Sequence, residues 1–453
     1  MNIKKDSIDE LNAVVTVTIE KPDYEERVLN VLKDYRRKAR FDGFRPGKVP
    51  QGLVNKMYRK PVLAEEINKV LAESLSKYLV DEKLNILGEP LPNLEKPVTI
   101  DWDNDTQFEF VFDIGLAPNL DFSISEKDKI PYYNISVEKE EVDKQVDRIA
   151  SRYGSFKEVD QVAENEMVKA DMEEVDENGN PVENGVKAED VSIALEYVKD
   201  ENIKKKFQGL KAGDQLVIDV NKAFENETDR AALLKVDKEK LGAISANFMV
   251  KLKSVSKFEK AEVNQELYDK AYGKDTVKSS EEFYQKVEQE LKTVFDRNSD
   301  YKFRLDAREY YLEKFKQELP SAFLKRWLLH ANEGKVTQEQ IDKDFDHFTT
   351  DLKWQLIKGK TTRDQELKID ETELLAHARE AIRQQFIQYY GIGEVPADML
   401  EKYAKESLSR EEDRNRYVES MNENLVFDFI KKTVKLDNKE VTLEKFNKLF
   451  DKE

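Results

Sequence analysis

Few residues in this chain could make or break bonds. It has no cysteine and only three histidines, His330, His347 and His377, whose separations fit no metal-ligand spacing. No serine stands in a nucleophile turn with them. Asp176-Glu177-Asn178-Gly179 begins like a calcium loop but lacks the remaining ligands, so it reads as a turn. Gly359-Lys360-Thr361 ends like a phosphate-binding loop, yet Trp354 occupies the place of the first glycine. No catalytic residue, metal or cofactor is therefore assigned. What remains is contact chemistry, and it concentrates in Gly43-Phe44-Arg45-Pro46-Gly47-Lys48-Val49-Pro50. An aromatic and a cation stand there on a loop bounded by glycine and proline, where neither can reach a core. Pro46 holds Arg45 extended, and Gly43 and Gly47 permit a tight reversal, so Phe44 and Arg45 project at a tip.

Helices must carry that tip. Tyr24, Val28, Leu32, Tyr35 and Ala39 repeat at helical spacing before it, and Pro50 opens a helix with Leu53, Val54 and Met57 after it. Leu63, Ile67, Leu71, Leu75 and Tyr78 mark another amphipathic helix, and Pro90, Pro92 and Pro97 punctuate the return. Leu11, Ala13, Val15, Val17 and Ile19 alternate with Asn12, Val14, Thr16 and Thr18, and Phe108, Phe110 and Phe112 alternate in the same way, which predicts strands bracketing the helices. Residues 1–115 are thus expected to form one α+β unit with the loop at its far end.

The octapeptide meets every fixed position of G-F-R-x-G-x-x-P, and the match continues upstream through Lys38-Ala39-Arg40-Phe41-Asp42. In this the chain resembles the trigger factors, the bacterial ribosome-associated chaperones, and its length and order of segments resemble that family throughout. The resemblance implies that Gly43, Phe44, Arg45, Pro46, Gly47, Lys48 and Pro50 dock on a ribosomal protein beside the nascent-chain exit. It implies a multidomain α+β fold: a ribosome-binding head (1–115), a connector strand and helix (116–149), an inserted FKBP-like β-rich domain (150–255), and an elongated all-α body with arms (256–453).

Charge fits that expectation. Hydrophobic residues make up 39% of the 453-residue chain, enough for several cores, while 37% are charged and the formal net charge is −18. A balance so acidic argues against general DNA or RNA binding. Residues 33–60 nevertheless hold ten Lys or Arg against two Asp. Arg36, Arg37, Lys38 and Arg40 in that window are expected to face ribosomal RNA, with the acidic remainder held away. The chain begins with no apolar export signal and contains no stretch of about 18 apolar residues, so a cytoplasmic protein with no membrane partner is expected.

The middle segment is strand- and turn-rich, with Leu216, Ile218 and Val220 alternating and Phe248, Val250 and Leu252 likewise. FKBP-type isomerases enclose a proline in an aromatic-lined apolar pocket, so the pocket wall is the mechanism. Lys211-Ala212-Gly213 is shared with that family, but it places Asp200-Glu201-Asn202-Ile203 where Ile-Pro-Gly and an aromatic usually stand. Met172 stands at an aromatic place and Glu174 at a glycine. Tyr197, Phe207, Phe224 and Phe248 are expected in the core. Isomerase activity is therefore expected to be weak or absent.

Beyond Phe258 the pattern is helical to the end, with stripes at Val287/Leu291/Phe295, Phe323/Trp327/Leu328, Leu375/Ala378/Ile382/Phe386 and Val426/Phe429/Ile430/Val434. Aromatics such as Tyr310, Tyr311, Phe315, Trp327, Phe345, Phe348, Trp354, Phe386, Tyr389 and Tyr390 are dense there. Most are expected in the core, and the remainder could form apolar patches rimmed by charge. The expected function is an ATP-independent chaperone of nascent and unfolded polypeptides, with a homodimer off the ribosome left open. The alternative is an active prolyl isomerase with chaperoning secondary. A third reading, an extracytoplasmic chaperone, is disfavoured by the missing export signal.

Overall fold

The computed structural model of the protein describes residues 1–38, 44, 49–96, 100–102, 104–390 (the side chain of Tyr390 excepted) and 395–451. In chain order it begins with β1 (Asn2–Ser7), β2 (Asn12–Glu20), α1 (Lys21–Lys38), α2 (Gln51–Asp81), β3 (Leu91–Pro92) and β4 (Gln107–Gly115). Then follow β5 (Lys129–Ile135), α3 (Lys139–Arg152), β6 (Ser155–Glu158), β7 (Met167–Glu174), β8 (Lys187–Ala194), α4 (Glu201–Phe207), β9 (Gln215–Asp219), α5 (Val220–Ala223), α6 (Glu227–Leu234) and β10 (Asn247–Glu259). The remainder is α7 (Gln265–Tyr272), α8 (Ser280–Lys314), α9 (Ser321–Ala331), α10 (Gln338–Asp364), α11 (Glu371–Tyr390), α12 (Ala397–Ser409), α13 (Glu411–Thr433), β11 (Lys435–Val441) and α14 (Leu443–Asn447). By contacts, Met1–Tyr132 groups with Asp300–Asn438, and Tyr133–Ser299 with Lys439–Glu453.

In the first unit, a sheet ordered β1-β2-β4-β3 carries α1 and α2. Alternation in β2 sends Ala13, Val15, Val17 and Ile19 to one face, where they meet Tyr24, Val28 and Leu32 of α1 and Val62, Leu63 and Ile67 of α2. The two helices expected from residues 50–78 are a single one, because Pro61 lies inside α2. A proline within a helix costs about 3 kcal/mol, and burial of eight α2 side chains on both sides of it offsets that cost. A larger core joins α8, α9, α10 and α13, with Tyr311, Trp354, Ile357, Val426 and Ile430 at its centre. This core reaches the sheet directly. A Cβ on Gly115 would lie 2.5 Å from the Phe323 ring, and Arg326 pairs with Asp113 at 2.8 Å.

The second unit holds an antiparallel sheet ordered β6-β10-β7-β8, with β9 also beside β10. Its core includes Val168, Ala170, Met172, Phe207, Phe248 and Val250. Separately, α3, α7 and the start of α8 pack around Phe283 and Tyr268, whose rings stack 4.6 Å apart.

The body has a helix pattern, yet Lys435–Val441 forms β11 against β5. The reading of helix to the end therefore fails at this segment. Lys-Leu-Asp-Asn-Lys-Glu-Val has no apolar helical stripe, and its backbone groups are satisfied by a partner far away in sequence.

Candidate functional site: the head hairpin and two grooves

Helix α1 ends at Lys38 with Arg36, Arg37 and Lys38 in its last turn, where cations also complement the helix dipole. Helix α2 starts after Pro50, whose φ of −59° suits the position before a helix. Between these ends stands a built base. Val49 is wholly buried, and the Arg36 Nε donates to the Val49 carbonyl at 2.9 Å. About one turn before the end of α1, Tyr35 stacks on Tyr58 of α2, with ring centroids 5.2 Å apart and planes 19° from parallel. Phe44 is 41% exposed, so this large aromatic contributes little to any core. Met57 on α2 is exposed as well.

Phe44 lies in the segment between α1 and α2, and Pro50 directly precedes α2. Arg37 lies 3.7 Å from Asp34, and both side chains are exposed; Lys38 is exposed too. Arg36 is only half-exposed and engaged with Val49, a contact no sequence pattern announced. Arg40, Gly43, Arg45, Pro46, Gly47 and Lys48 lie outside the described residues.

In the middle domain, Asp200 is the N-cap of α4, accepting from the backbone N–H groups of Asn202 at 2.8 Å and Ile203 at 3.2 Å. Ile203 and Phe207 consequently point into the core, 5% and 0% exposed. Glu174 is buried and accepts from the backbone N–H of Val186 at 2.8 Å and of Ser245 at 2.6 Å, so its carboxylate ties two loops to β7. Met172 is buried as well. The acidic and aliphatic replacements therefore serve the fold at places where a family pocket would have its wall.

A groove of about 560 Å³ does open between β8 and α6. Val191, Ala194, Tyr197, Phe224 and Leu233 line it, with Asp190, Asp229 and Lys235 among its polar residues. Phe207 and Phe248 are core, as expected, but Tyr197 is 67% exposed and Phe224 is half-buried. The reason is local. A 3-10 turn over Leu195–Tyr197 buries Leu195 and turns Tyr197 outward.

A second groove of about 670 Å³ lies among α11, α12 and α13, where Ile382, Phe386, Tyr403 and Tyr417 line it together with Arg410, Asp413 and Arg416. Ile387, Tyr389, Met399 and Tyr403 are exposed on these helices. Of the body aromatics singled out in the sequence, Tyr311, Phe315, Phe345 and Trp354 are buried. Tyr310, Trp327, Phe348 and Phe386 are half-buried. Among the described residues, Ala378, Ile382, Leu400 and Ala404 form a small buried cluster between α11 and α12. So small a cluster between α11 and α12 leaves Ile387, Tyr389, Met399 and Tyr403 facing solvent.

Among the described residues no group of three or more His, Cys, Asp or Glu could hold a metal, and no helix is long and apolar enough to cross a membrane.

Three family models match in series. Residues 1–149 match the bacterial trigger factor protein model, 156–260 the FKBP-like domain of probable trigger factors, and 299–450 their C-terminal domain. The trigger factor of a Nitratiruptor species is 24% identical over 397 residues, covering 85% of this chain and 83% of that protein. That of Allorhizobium ampelinum is 27% identical over 435 residues, covering 93% and 80%. A solved structure of the trigger factor chaperone, reported for promiscuous substrate recognition in folding and assembly activities, matches with a TM-score of 0.55. It covers 95% of this chain and 99% of that one at 15% identity, a likeness of fold.

Proposed function

Because the chain belongs to the trigger factor family, we propose that it is an ATP-independent chaperone that docks on the ribosome and shields nascent and unfolded polypeptides in the cytoplasm. The observation that carries this reading is the complete G-F-R-x-G-x-x-P signature in the segment joining α1 to α2, with Phe44 exposed. Phe44 would enter an apolar crevice of a large-subunit protein, and Arg45 would pair with an acidic side chain or phosphate. Arg37, Lys38, Arg40 and Lys48 would add salt-sensitive attraction to ribosomal RNA.

In this division of labour residues 1–115 dock, 116–149 connect, 256–453 hold clients and 150–255 assist. Support for the client role comes from the exposed Ile387, Tyr389, Met399 and Tyr403 beside charged residues. Weak apolar contacts at several points add up without demanding one client sequence, and release follows when the client buries its own apolar surface, so no nucleotide is needed. Light scattering of a chemically unfolded protein diluted into buffer without ATP tests this. The whole chain suppresses aggregation, and equal aggregation with and without it would refute the chaperone reading.

The alternative reading, a working prolyl isomerase, draws support from the groove beside Tyr197 and Phe224. Ile203 in the core and Asp200 as a helix cap weigh against it.

A further inference from the structure

We propose that Arg36 is a positioning residue for docking, the bolt of a clamp at the base of the loop, and that its hydrogen bond rather than its charge is what docking needs. This rests on the ribosome-docking reading. Arg36 sits in the last turn of α1, and its Nε donates across thirteen residues to the carbonyl of Val49, just before Pro50 and α2. Val49 is 0% exposed, so its carbonyl is held by a side chain plugged between the helices. Arg36 itself is half-buried, unlike Lys33, Arg37 and Lys38, which are exposed on the same helix.

The Tyr35–Tyr58 stack secures the same pair of helices one residue away in sequence. The two contacts hold the end of α1 and the residues before α2 together on either side of Phe44. A side chain that must enter a crevice loses affinity when its base can swing, because the bound arrangement then has to be ordered at the moment of binding. Arg36 thus acts through Phe44 without touching the ribosome itself.

Two substitutions separate the bond from the charge. Lysine keeps the positive charge but carries a methylene at the place of the arginine Nε. Glutamine carries no charge but can place an amide N–H at that same distance from the backbone. The clamp predicts that Arg36→Lys lowers ribosome affinity of the whole chain about three- to tenfold, the size of one lost hydrogen bond, with an unchanged salt slope. Arg36→Gln stays within about twofold of wild type. In a Phe44→Ala background, Arg36→Lys adds nothing, because the residue it positions is gone.

An RNA contact predicts the reverse: Arg36→Lys binds like wild type, while Arg36→Gln loses affinity and the logarithmic salt slope shrinks by about one. Either that pattern, or an Arg36→Lys loss that persists in full beside Phe44→Ala, overturns the clamp. Hydrogen exchange of the free protein keeps the docking reading distinguishable. Arg36→Lys speeds exchange at Leu53 and Val54, at the start of α2, with β2 and β4 unchanged, whether or not ribosomes bind. Unchanged exchange at those two residues also overturns the clamp.

Discussion

The head and the middle domain each present aromatic surface, but in opposite ways. In the head, Phe44 is exposed between helices α1 and α2, which are joined by the Arg36–Val49 bond and a tyrosine stack, and the proposed recognition is by projection into a partner. The middle domain offers a concavity beside Tyr197 and Phe224, while Ile203, Phe207, Met172 and Glu174 are drawn into its fold. A projected contact needs only a rigid base and a few exposed residues. An enclosing pocket needs every wall, and here several wall positions have been given to the core. If the proposed reading holds, a docking function persists in this chain where an enclosing one is lost.

The largest expected effect concerns that lost enclosure. In a proline-limited refolding assay, acceleration by the whole chain should fall about 100-fold or more below a full FKBP-type enzyme, a deficit of about 2.7 kcal/mol in transition-state stabilisation. Acceleration at the level of such an enzyme would erase the contrast between the two regions.

Glu174 sharpens it from the other side. Removing its carboxylate by Glu174→Ala leaves the Val186 and Ser245 N–H groups without their acceptor, which should cost the middle domain about 2–4 kcal/mol in thermal unfolding. Ribosome association should not change. A neutral Glu174→Ala would mean that the residue is available for a pocket after all.

A smaller, pH-dependent effect belongs to the unit that contains the head. Burial alone would raise the carboxyl of Asp128, but hydrogen bonds from Lys314, the Ser125 N–H, Tyr311 and Tyr310 hold it below the ordinary carboxylate range. Since the folded-state value lies below the unfolded one, its stabilisation is complete above the unfolded value and disappears as pH falls through the folded one. Lys314 is partly exposed, so solvent screening limits the contribution to about 1–2 kcal/mol. Unfolding of wild type and Asp128→Asn followed from neutral pH to about pH 3 should show the difference shrinking below about pH 4. A constant difference would contradict it.

The smallest effect is expected at the middle groove. Tyr197→Ala should weaken binding of an unfolded client about two- to fivefold by fluorescence titration, without altering ribosome association or thermal stability. A loss of stability would show that Tyr197 is a structural residue despite its exposure.

Much of the fold was legible because it rests on local periodicity. The alternation in Ala13–Ile19 specifies a half-buried strand, and the spacing of Tyr24, Val28 and Leu32 specifies the buried face of α1. What escaped depends on distant partners. Pro61 reads as a break, yet packing on both sides holds α2 continuous. Lys435–Val441 has no strand pattern, and its pairing with β5 supplies what composition does not. The outward turn of Tyr197 follows from a three-residue 3-10 turn that leaves no periodic trace. Arg36 looked like one more member of a basic cluster, because a side-chain bond to a backbone carbonyl thirteen residues away carries no sequence signal.

The account stands most directly on cosedimentation of the whole chain with ribosomes, wild type beside a Phe44→Ala/Arg45→Ala/Pro46→Ala variant. Phe44 is exposed and belongs to no described core, so the variant should keep its thermal unfolding profile and lose ribosome affinity about 100-fold or more, remaining in the supernatant at moderate salt. A folded variant that pellets with ribosomes as wild type does would contradict docking through the head hairpin.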